Sequence, residues 1–131
     1  MFDKPSNVRN PDHDGPTVWL GAVCAYSLRL LVFLTETGLR EQFDIVRCVP
    51  GDPGYRKMIR ELTKGLGGHP TFPTIQHASG VFQSDSDVLI DVLCDAHGID
   101  RDGLFTLPFY ELGIYAAYGQ LRAEVVELRG R

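Results

Sequence analysis

The chain has 131 residues, of which 44% are hydrophobic and 23% charged, and its formal net charge is −4. That length suits one domain with a single core, and the acidic balance offers no basic surface for nucleic acid. No apolar run approaches the roughly 20 residues that a membrane span needs. We therefore expect neither nucleic acid nor a membrane among its partners.

The cysteines number three, at unrelated spacings, and do not predict a disulfide framework. A reducing cytoplasm is the compartment that fits this cysteine usage best. The sequence holds no CxxC pair and no Cys/His cluster with zinc spacing, so we expect no metal. Residues 1–16 are polar, carry Pro5, Pro11 and Pro16, and lack the apolar core of a secretory signal. They are predicted to form a flexible tail.

Cys24 lies at a predicted strand-to-helix turn, between a β-type run at 17–22 and an apolar helical run at 26–37. The positive end of a helix dipole favours a thiolate over a thiol, and its free N–H groups bind negative groups. A free cysteine can equally be a small buried residue of the core. From its position alone, both interpretations of Cys24 stay open.

The later elements are a strand at 43–49, a basic helix at 55–64, a strand at 71–77 interrupted by Pro73, a strand at 81–83 and a helix at 85–94. The order β-α-β-α-β-β-α predicts an α/β fold. Its first half should pair in parallel through a right-handed crossover, and its second half should form a hairpin. The expected product is a mixed four-stranded sheet with helices on both faces.

A linker over 97–106 precedes a further helix predicted at 108–128, which begins with Pro108 in the favoured first turn. This helix has an apolar stripe at spacings of three and four, formed by Tyr110, Ile114, Ala117, Leu121, Val125 and Leu128. The stripe predicts docking on the domain or on a second copy of the chain, so a homodimer is one expectation.

Three segments, in this order, resemble motifs of the N-terminal domain of glutathione S-transferases and of their glutaredoxin relatives. Residues 24–29, CAYSLR, resemble the active-site turn C/S-P-Y/F-S/C-x-R. Residues 67–75, GGHPTFPTI, resemble G-G/N-x-x-x-V-P-x-L, in which the proline peptide is cis. Residues 85–93, DSDVLIDVL, resemble the helix start E-S-x-A-I-x-x-Y-L. The resemblance implies a thioredoxin-like glutathione-binding domain over 17–98, with a linker and helix over 99–131.

The chain departs from those motifs at Ala25, where a proline is usual, at Asp85, where glutamate is usual, and at His69, where lysine is common. Aligning Asp85-Ser86 with the E-S pair puts four apolar residues of the last motif on expected core positions: Val88, Leu89, Val92 and Leu93. Only the first helix of the family's C-terminal domain has a counterpart. Because that domain supplies most of the second-substrate site, the family's conjugating activity does not follow from the resemblance.

The resemblance implies that Cys24 is a thiolate nucleophile. Ser27 stands where a resolving cysteine would be, so the chemistry is monothiol and uses glutathione as the external thiol and co-substrate. With or without that chemistry, Ser27 is expected to cap the helix. Arg29 adds positive charge near the sulfur or is solvated. Cys48 and Cys94 fall in apolar elements and are expected in the core.

The resemblance also implies the glutathione contacts. Pro73 presents the backbone of Phe72 to the ligand, while Ser86 and Asp85 meet the carboxylate and the ammonium of the γ-glutamyl end. The alternative is that Asp85 and Ser86 only cap the helix and bind no ligand. Three positions are open between ligand and structural roles. Tyr26 packs over the ligand or into the core edge, and His69 and Arg56 meet the glycyl carboxylate or stay at the surface.

Three functions are consistent with these residues. The first is a glutathione-dependent transferase or thiol–disulfide oxidoreductase acting on a small electrophile or disulfide. The second is a non-catalytic module that keeps the fold and binds glutathione or a protein partner. A monothiol turn can also hold one cysteine ligand of an iron–sulfur cluster between two subunits, but Ala25 stands where such sites usually have glycine.

Overall fold

The computed structural model describes residues 16–130 and contains a mixed sheet with the strand order β2-β1-β3-β4. The strands are β1 (Thr17–Gly21), β2 (Asp44–Cys48), β3 (Thr74–Ala78) and β4 (Val81–Ser84). β1 is parallel to β2 and antiparallel to β3, and β3 is antiparallel to β4. The predicted four-stranded thioredoxin-like sheet is confirmed, whereas the predicted tail falls, apart from Pro16, outside the described residues.

The helices are α1 (Ala25–Thr37), α2 (Tyr55–Leu66), α3 (Ser86–His97), α4 (Thr106–Tyr110) and α5 (Ala116–Arg129). A π-helical turn, Glu111–Tyr115, joins the last two without leaving helical backbone angles. The three segments are treated below as one C-terminal helix. Short 3₁₀ turns occupy Leu39–Gln42 and Arg101–Gly103. In the part of the chain described, no helix is long and apolar enough to cross a membrane.

The core forms two clusters, one on each face of the sheet. Alternation along β1 sends Val18 and Leu20 to one face and Trp19 to the other. The larger cluster packs the sheet against α1, α3 and the start of the C-terminal helix, and the smaller one packs it against α2. Helices therefore cover both faces, as predicted, and the N-terminus of α1 lies at the carboxyl end of β1.

β3 begins at Thr74, three residues later than predicted. Pro73 has no N–H to donate to a ladder, so it precedes the strand and does not lie within it. The segment before β3 carries Phe72, and the peptide bond between Phe72 and Pro73 is cis. Phe72 lies close to the end of β1, since a Cβ built on Gly21 would be 3.4 Å from the Cβ of Phe72.

α3 buries a different stripe from the one predicted. Its buried residues are Ser86, Leu89, Ile90, Leu93 and Cys94, whereas Val88 is 42% exposed and Val92 only partly buried. The observed stripe follows the 3.6-residue period from Ser86. Leu89 and Leu93 are buried as predicted, whereas Val88 and Val92 lie about 170° and about 130° around the helix from the centre of the buried stripe, so the prediction for these two was wrong.

The C-terminal helix begins at Thr106, two residues earlier than predicted. The carboxylate of Glu36 accepts hydrogen bonds from three successive backbone N–H groups, those of Phe105 (2.7 Å), Thr106 (2.8 Å) and Leu107 (2.9 Å). These are donors that a helix start cannot satisfy internally. A side chain of α1 thus fixes where this helix starts, which local sequence does not show.

Only the first half of the C-terminal helix docks on the domain. Leu107 is fully buried and Tyr110 partly so, whereas every residue from Ala116 to Gly130 is exposed. Of the two predicted docking surfaces for the apolar stripe, this domain therefore accommodates only the first part of the helix. The stripe's later members Leu121, Val125 and Leu128 are 62%, 44% and 65% exposed.

Candidate functional site

Cys24 is the N-cap residue of α1, with extended backbone angles. Its Sγ accepts a hydrogen bond from the backbone N–H of Ser27 at 3.4 Å. The thiol in turn donates to the carbonyl oxygen of Phe72, 3.7 Å away. The sulfur therefore lies between the helix start and the segment before β3. A hydrogen bond from a free N–H group at a helix start stabilises negative charge on sulfur.

Ser27 is 2% exposed, and its hydroxyl accepts a 2.8 Å hydrogen bond from the N–H of Gly21. The interpretation of Ser27 as the helix cap was wrong, because Cys24 occupies that position. Ser27 instead ties the end of β1 to the first turn of α1. A Cβ at Gly21 would lie 3.1 Å from the Cβ of Cys24 and 3.4 Å from that of Phe72, so the absence of a side chain there permits their approach.

A cleft of about 490 Å³, here called the α3 cleft, runs from the segment before β3 to the N-terminus of α3. Its volume lies in the range of small-ligand sites. It brings together four of the predicted ligand-binding residues: Tyr26, Phe72, Asp85 and Ser86. The remaining lining residues are Arg29, Thr71, Asp87 and Tyr115.

Asp85 caps α3, since its carboxylate accepts the N–H of Asp87 at 3.0 Å. Its φ of 82° is the only positive value among the described residues other than glycine. Such left-handed backbone is rare outside glycine and tends to occur at functional sites. Ser86 follows it, 3% exposed, and its Oγ accepts a 3.4 Å hydrogen bond from Arg29. The hydroxyl proton of Ser86 is thus left to donate to a second acceptor.

The side chain of Arg29 is only 12% exposed, so the prediction that Arg29 is solvated was wrong. Its guanidinium pairs with Asp87 at 3.0 Å and donates from Nε to Glu111 at 2.7 Å. Arg101 binds the same two carboxylates, each at 3.0 Å, and Asp91 at 2.7 Å. The hydrogen bond from Arg101, together with the charge of Arg29, holds the pKa of Asp87 below its ordinary value although burial opposes this.

The C-terminal helix forms a wall of tyrosines beside the cysteine turn. Tyr26 makes edge-to-face contacts with Tyr115 and Tyr118, at centroid distances of 5.8 and 6.2 Å. The guanidinium of Arg29 lies 4.9 Å from the ring centre of Tyr115, within cation–π range. Tyr26 therefore packs against this helix while lining the α3 cleft, rather than entering the core.

Sequence reasoning missed Tyr115 and Tyr118 as parts of the site. A signal was available, because three of the five tyrosines in the chain fall between positions 110 and 118. Aromatic rings with a polar tip suit a surface that is half apolar and half wet. Aliphatic residues would be sufficient if this helix only packed against the domain.

A second cavity, of about 690 Å³, opens on the other side of Cys24 and is here called the sheet-edge cavity. It lies between α1, the outer strand β2 and the C-terminal helix. Cys24 lines it directly, whereas the α3 cleft reaches Phe72, whose carbonyl accepts from that cysteine. The sulfur thus lies at the boundary of two spaces, and the larger one has a mainly apolar wall.

The other cysteines and His69 lie elsewhere. Cys48 and Cys94 are buried, and burial raises the pKa of Cys48 to about 12 and also raises the pKa of Cys94. His69 is exposed on the loop between α2 and β3 and does not line the α3 cleft. Within residues 16–130, no group of three or more His, Cys, Asp or Glu side chains could hold a metal ion.

Comparison with known proteins gives no matching family model and no matching curated protein. Among solved structures, glutathione transferase Omega 3C from Trametes versicolor is 19% identical over 64% of this chain and 35% of its own, with a TM-score of 0.45. Glutathione transferase Omega 2C from the same organism is 12% identical over 63% of this chain and 39% of its own, with a TM-score of 0.47. The chain thus spans less than two-fifths of either neighbour's length.

Proposed function

We propose that the chain binds glutathione in the α3 cleft and acts as a glutathione-dependent thiol transferase with Cys24 as its nucleophile. One observation carries this proposal. The Cys24 sulfur caps α1, accepts the N–H of Ser27 and lies 3.7 Å from the carbonyl of Phe72, a residue of the cleft that ends at Asp85 and Ser86.

The cleft matches the charges at the γ-glutamyl end of glutathione. The ligand is a tripeptide with one thiol, one ammonium and two carboxylates. Its thiol lies beside Cys24, and its central peptide pairs with the backbone of Phe72 at the turn formed with Pro73. The γ-glutamyl carboxylate accepts from Ser86 and the first N–H groups of α3, and Asp85 accepts from the ammonium. Exposed His69 is the candidate for the glycyl carboxylate.

The proposed reaction has two displacement steps. The Cys24 thiolate attacks the glutathione sulfur of a mixed disulfide, forms a Cys24–glutathione disulfide and releases the other thiol as a thiolate, which takes a proton from water. The thiolate of a second glutathione then attacks the glutathione sulfur of that disulfide, releasing glutathione disulfide and regenerating Cys24. Ser27 cannot resolve the intermediate, so the second glutathione is required.

A non-catalytic glutathione-binding module is the second candidate, and the position of Arg29 favours it. Asp87 and Glu111 hold that guanidinium, so the N–H groups at the start of α1 supply the positive field at the sulfur. Thiol–disulfide exchange is slower where no uncompensated cation lies beside the sulfur. Binding without turnover is the result that would select this candidate.

Turnover of the mixed disulfide between glutathione and 2-mercaptoethanol tests the proposal, with glutathione disulfide followed through glutathione reductase and NADPH. We expect the wild type to turn over and Cys24→Ser to lose turnover while still binding glutathione. Cys94→Ser, at a buried site on α3, is the matched control and should retain activity. Binding of glutathione by the wild type without turnover would identify the chain as the non-catalytic module. A wild type that neither binds glutathione nor turns over the disulfide would contradict both functions.

A further inference from the structure

We propose that the sheet-edge cavity is the site of the second substrate and that it selects an amphipathic anion, an apolar body bearing a carboxylate held by Arg40 and Arg47. The inference rests on the proposed function in one respect only: it takes Cys24 to be the group that acts on this ligand. The selection itself is a property of the cavity.

The apolar wall of the cavity is built from side chains that a simple packing role would bury. Leu28 on α1 and Ile114 on the C-terminal helix are 45% and 73% exposed, and both line the cavity. Leu31 and Ile45 complete this wall. Exposed apolar side chains that converge on a concave space mark a site for an apolar ligand group, whereas scattered ones carry no such meaning.

The two arginines give the cavity a cationic side. Arg47 is two residues beyond Ile45 on β2, so both side chains project from the same face of the sheet toward the cavity. Arg40 comes from the 3₁₀ turn after α1. None of the lining residues is acidic. The two guanidinium groups therefore line a cavity that contains no carboxylate to neutralise them.

Arg40 and Arg47 differ in this respect from the arginines around the α3 cleft. Arg29 and Arg101 are held by carboxylates of α3 and the C-terminal helix. Among residues 16–130, neither Arg40 nor Arg47 has an ion-pair or side-chain hydrogen-bond partner. A guanidinium offers a fork of donors that matches a carboxylate, so these two are the groups available to an incoming anion.

A pair of thiol-directed labels of equal size tests this selection without requiring catalysis. The probes are 4-(iodoacetamido)benzoate and its neutral amide, 4-(iodoacetamido)benzamide. Each forms a bond from the Cys24 sulfur to the methylene carbon and releases iodide. The ratio of the two second-order rate constants at Cys24, measured by peptide mass spectrometry, reports the preference for the anion and cancels the intrinsic reactivity of the thiol.

We expect the wild type to react faster with the benzoate than with the benzamide, by roughly three- to tenfold, the range that two solvent-accessible ion pairs can supply. The double variant Arg40→Gln/Arg47→Gln should lower the ratio to that of a free cysteine peptide, with the benzamide rate unchanged. Arg60→Gln, an exposed arginine of α2 on the opposite face of the sheet, is the matched control and should keep the wild-type ratio.

A ratio that equals the free-peptide value in the wild type, or that survives in the double variant, would overturn the selection. Failure of both labels to modify Cys24 would overturn it too, because the cavity would then not open onto the sulfur. The double variant should also keep the wild-type affinity for glutathione, since the arginines lie outside the α3 cleft. Loss of that affinity would assign them to glutathione instead. A preserved ratio in a protein that binds no glutathione would contradict the proposed function alone.

Discussion

The phenolic hydroxyl of Tyr110 donates a 2.8 Å hydrogen bond to the carbonyl oxygen of Ala25. Ala25 is the first residue of α1, directly after Cys24, and Tyr110 lies 85 positions later in the chain. This bond joins the C-terminal helix to the turn that presents the sulfur. A helix that follows the thioredoxin-like region in sequence is thus part of the wall of the candidate site.

Tyr110→Phe removes this bond and keeps the ring. We expect a loss of about 1 kcal/mol in the free energy of unfolding, the usual net value of one such hydrogen bond, measured by urea denaturation. Tyr118→Phe, on the same helix but exposed, should cost much less. Equal stability of Tyr110→Phe and the wild type would show that the hydroxyl does not hold the helix to the turn.

Glu36 should control the docking of the C-terminal helix in a pH-dependent way. Burial alone would raise the pKa of Glu36, but hydrogen bonds from the N–H groups of Thr106, Leu107 and Phe105 reverse this and hold it below its ordinary value of 4.5. Because the folded pKa is lowered, the stabilisation is complete above 4.5 and is lost as the pH falls through the folded pKa.

Hydrogen exchange of the amides at 105–107 measures this effect. Protection in the wild type should fall on acidification below pH 4.5, whereas Glu36→Gln should give low protection at every pH. Glu41→Gln, at an exposed position of the 3₁₀ turn after α1, is the control and should follow the wild type. A pH profile shared by Glu36→Gln and the wild type would rule out Glu36 as the cap.

The pair Arg101–Glu111 should contribute to the same docking. The guanidinium lies 3.0 Å from the carboxylate, and the two side chains are only 25% and 20% exposed. A double-mutant cycle with Arg101→Gln and Glu111→Gln should give a coupling energy of about 0.5–1 kcal/mol in urea denaturation. The control cycle with Glu124→Gln, on the exposed end of the helix, should give none. Zero coupling energy in both cycles would show that the Arg101–Glu111 ion pair does not hold the C-terminal helix to the domain.

The three cysteines should differ sharply in reactivity. Burial raises the pKa of Cys48 to about 12 and raises that of Cys94, so neither is a thiolate at neutral pH in the folded protein. Cys24 is partly exposed. Limiting iodoacetamide at pH 7 should therefore modify Cys24 first, with the others following only in denaturant. Modification of Cys94 at a comparable rate in the native protein would contradict the assignment.

Local sequence was sufficient to predict the sheet, because the run of β-forming residues in β1, the βαβ spacing and the final hairpin are short-range signals. It was also sufficient to predict that Cys24 lies at a helix start and that α3 begins near Asp85. Local sequence was not sufficient to predict contacts between residues far apart in the chain. The carboxylates that hold Arg29 come from α3 and the C-terminal helix, and the cap formed by Glu36 spans about seventy positions. Such partners are set by packing, which periodicity does not encode.

Asp85→Asn separates the charge of that residue from its structural role. Asparagine tolerates left-handed backbone and caps helices well, so α3 should start as in the wild type. Glutathione affinity should nevertheless fall, because the ammonium of the γ-glutamyl group loses its anionic partner. Unchanged affinity, measured by the same calorimetry as below, would show that Asp85 serves the fold alone.

Calorimetric titration with glutathione tests the central claim most directly. We expect saturable binding to the wild type and to Cys24→Ser at millimolar glutathione or below. Ser86→Ala should weaken binding by about 1.5–3 kcal/mol, roughly 10- to 150-fold, because a charge-assisted hydrogen bond to the ligand carboxylate is lost. Ser79→Ala, in the exposed turn between β3 and β4, is the matched control and should bind like the wild type. Absence of binding to the wild type at millimolar glutathione, or wild-type affinity in Ser86→Ala, would contradict the assignment of the α3 cleft as the glutathione site.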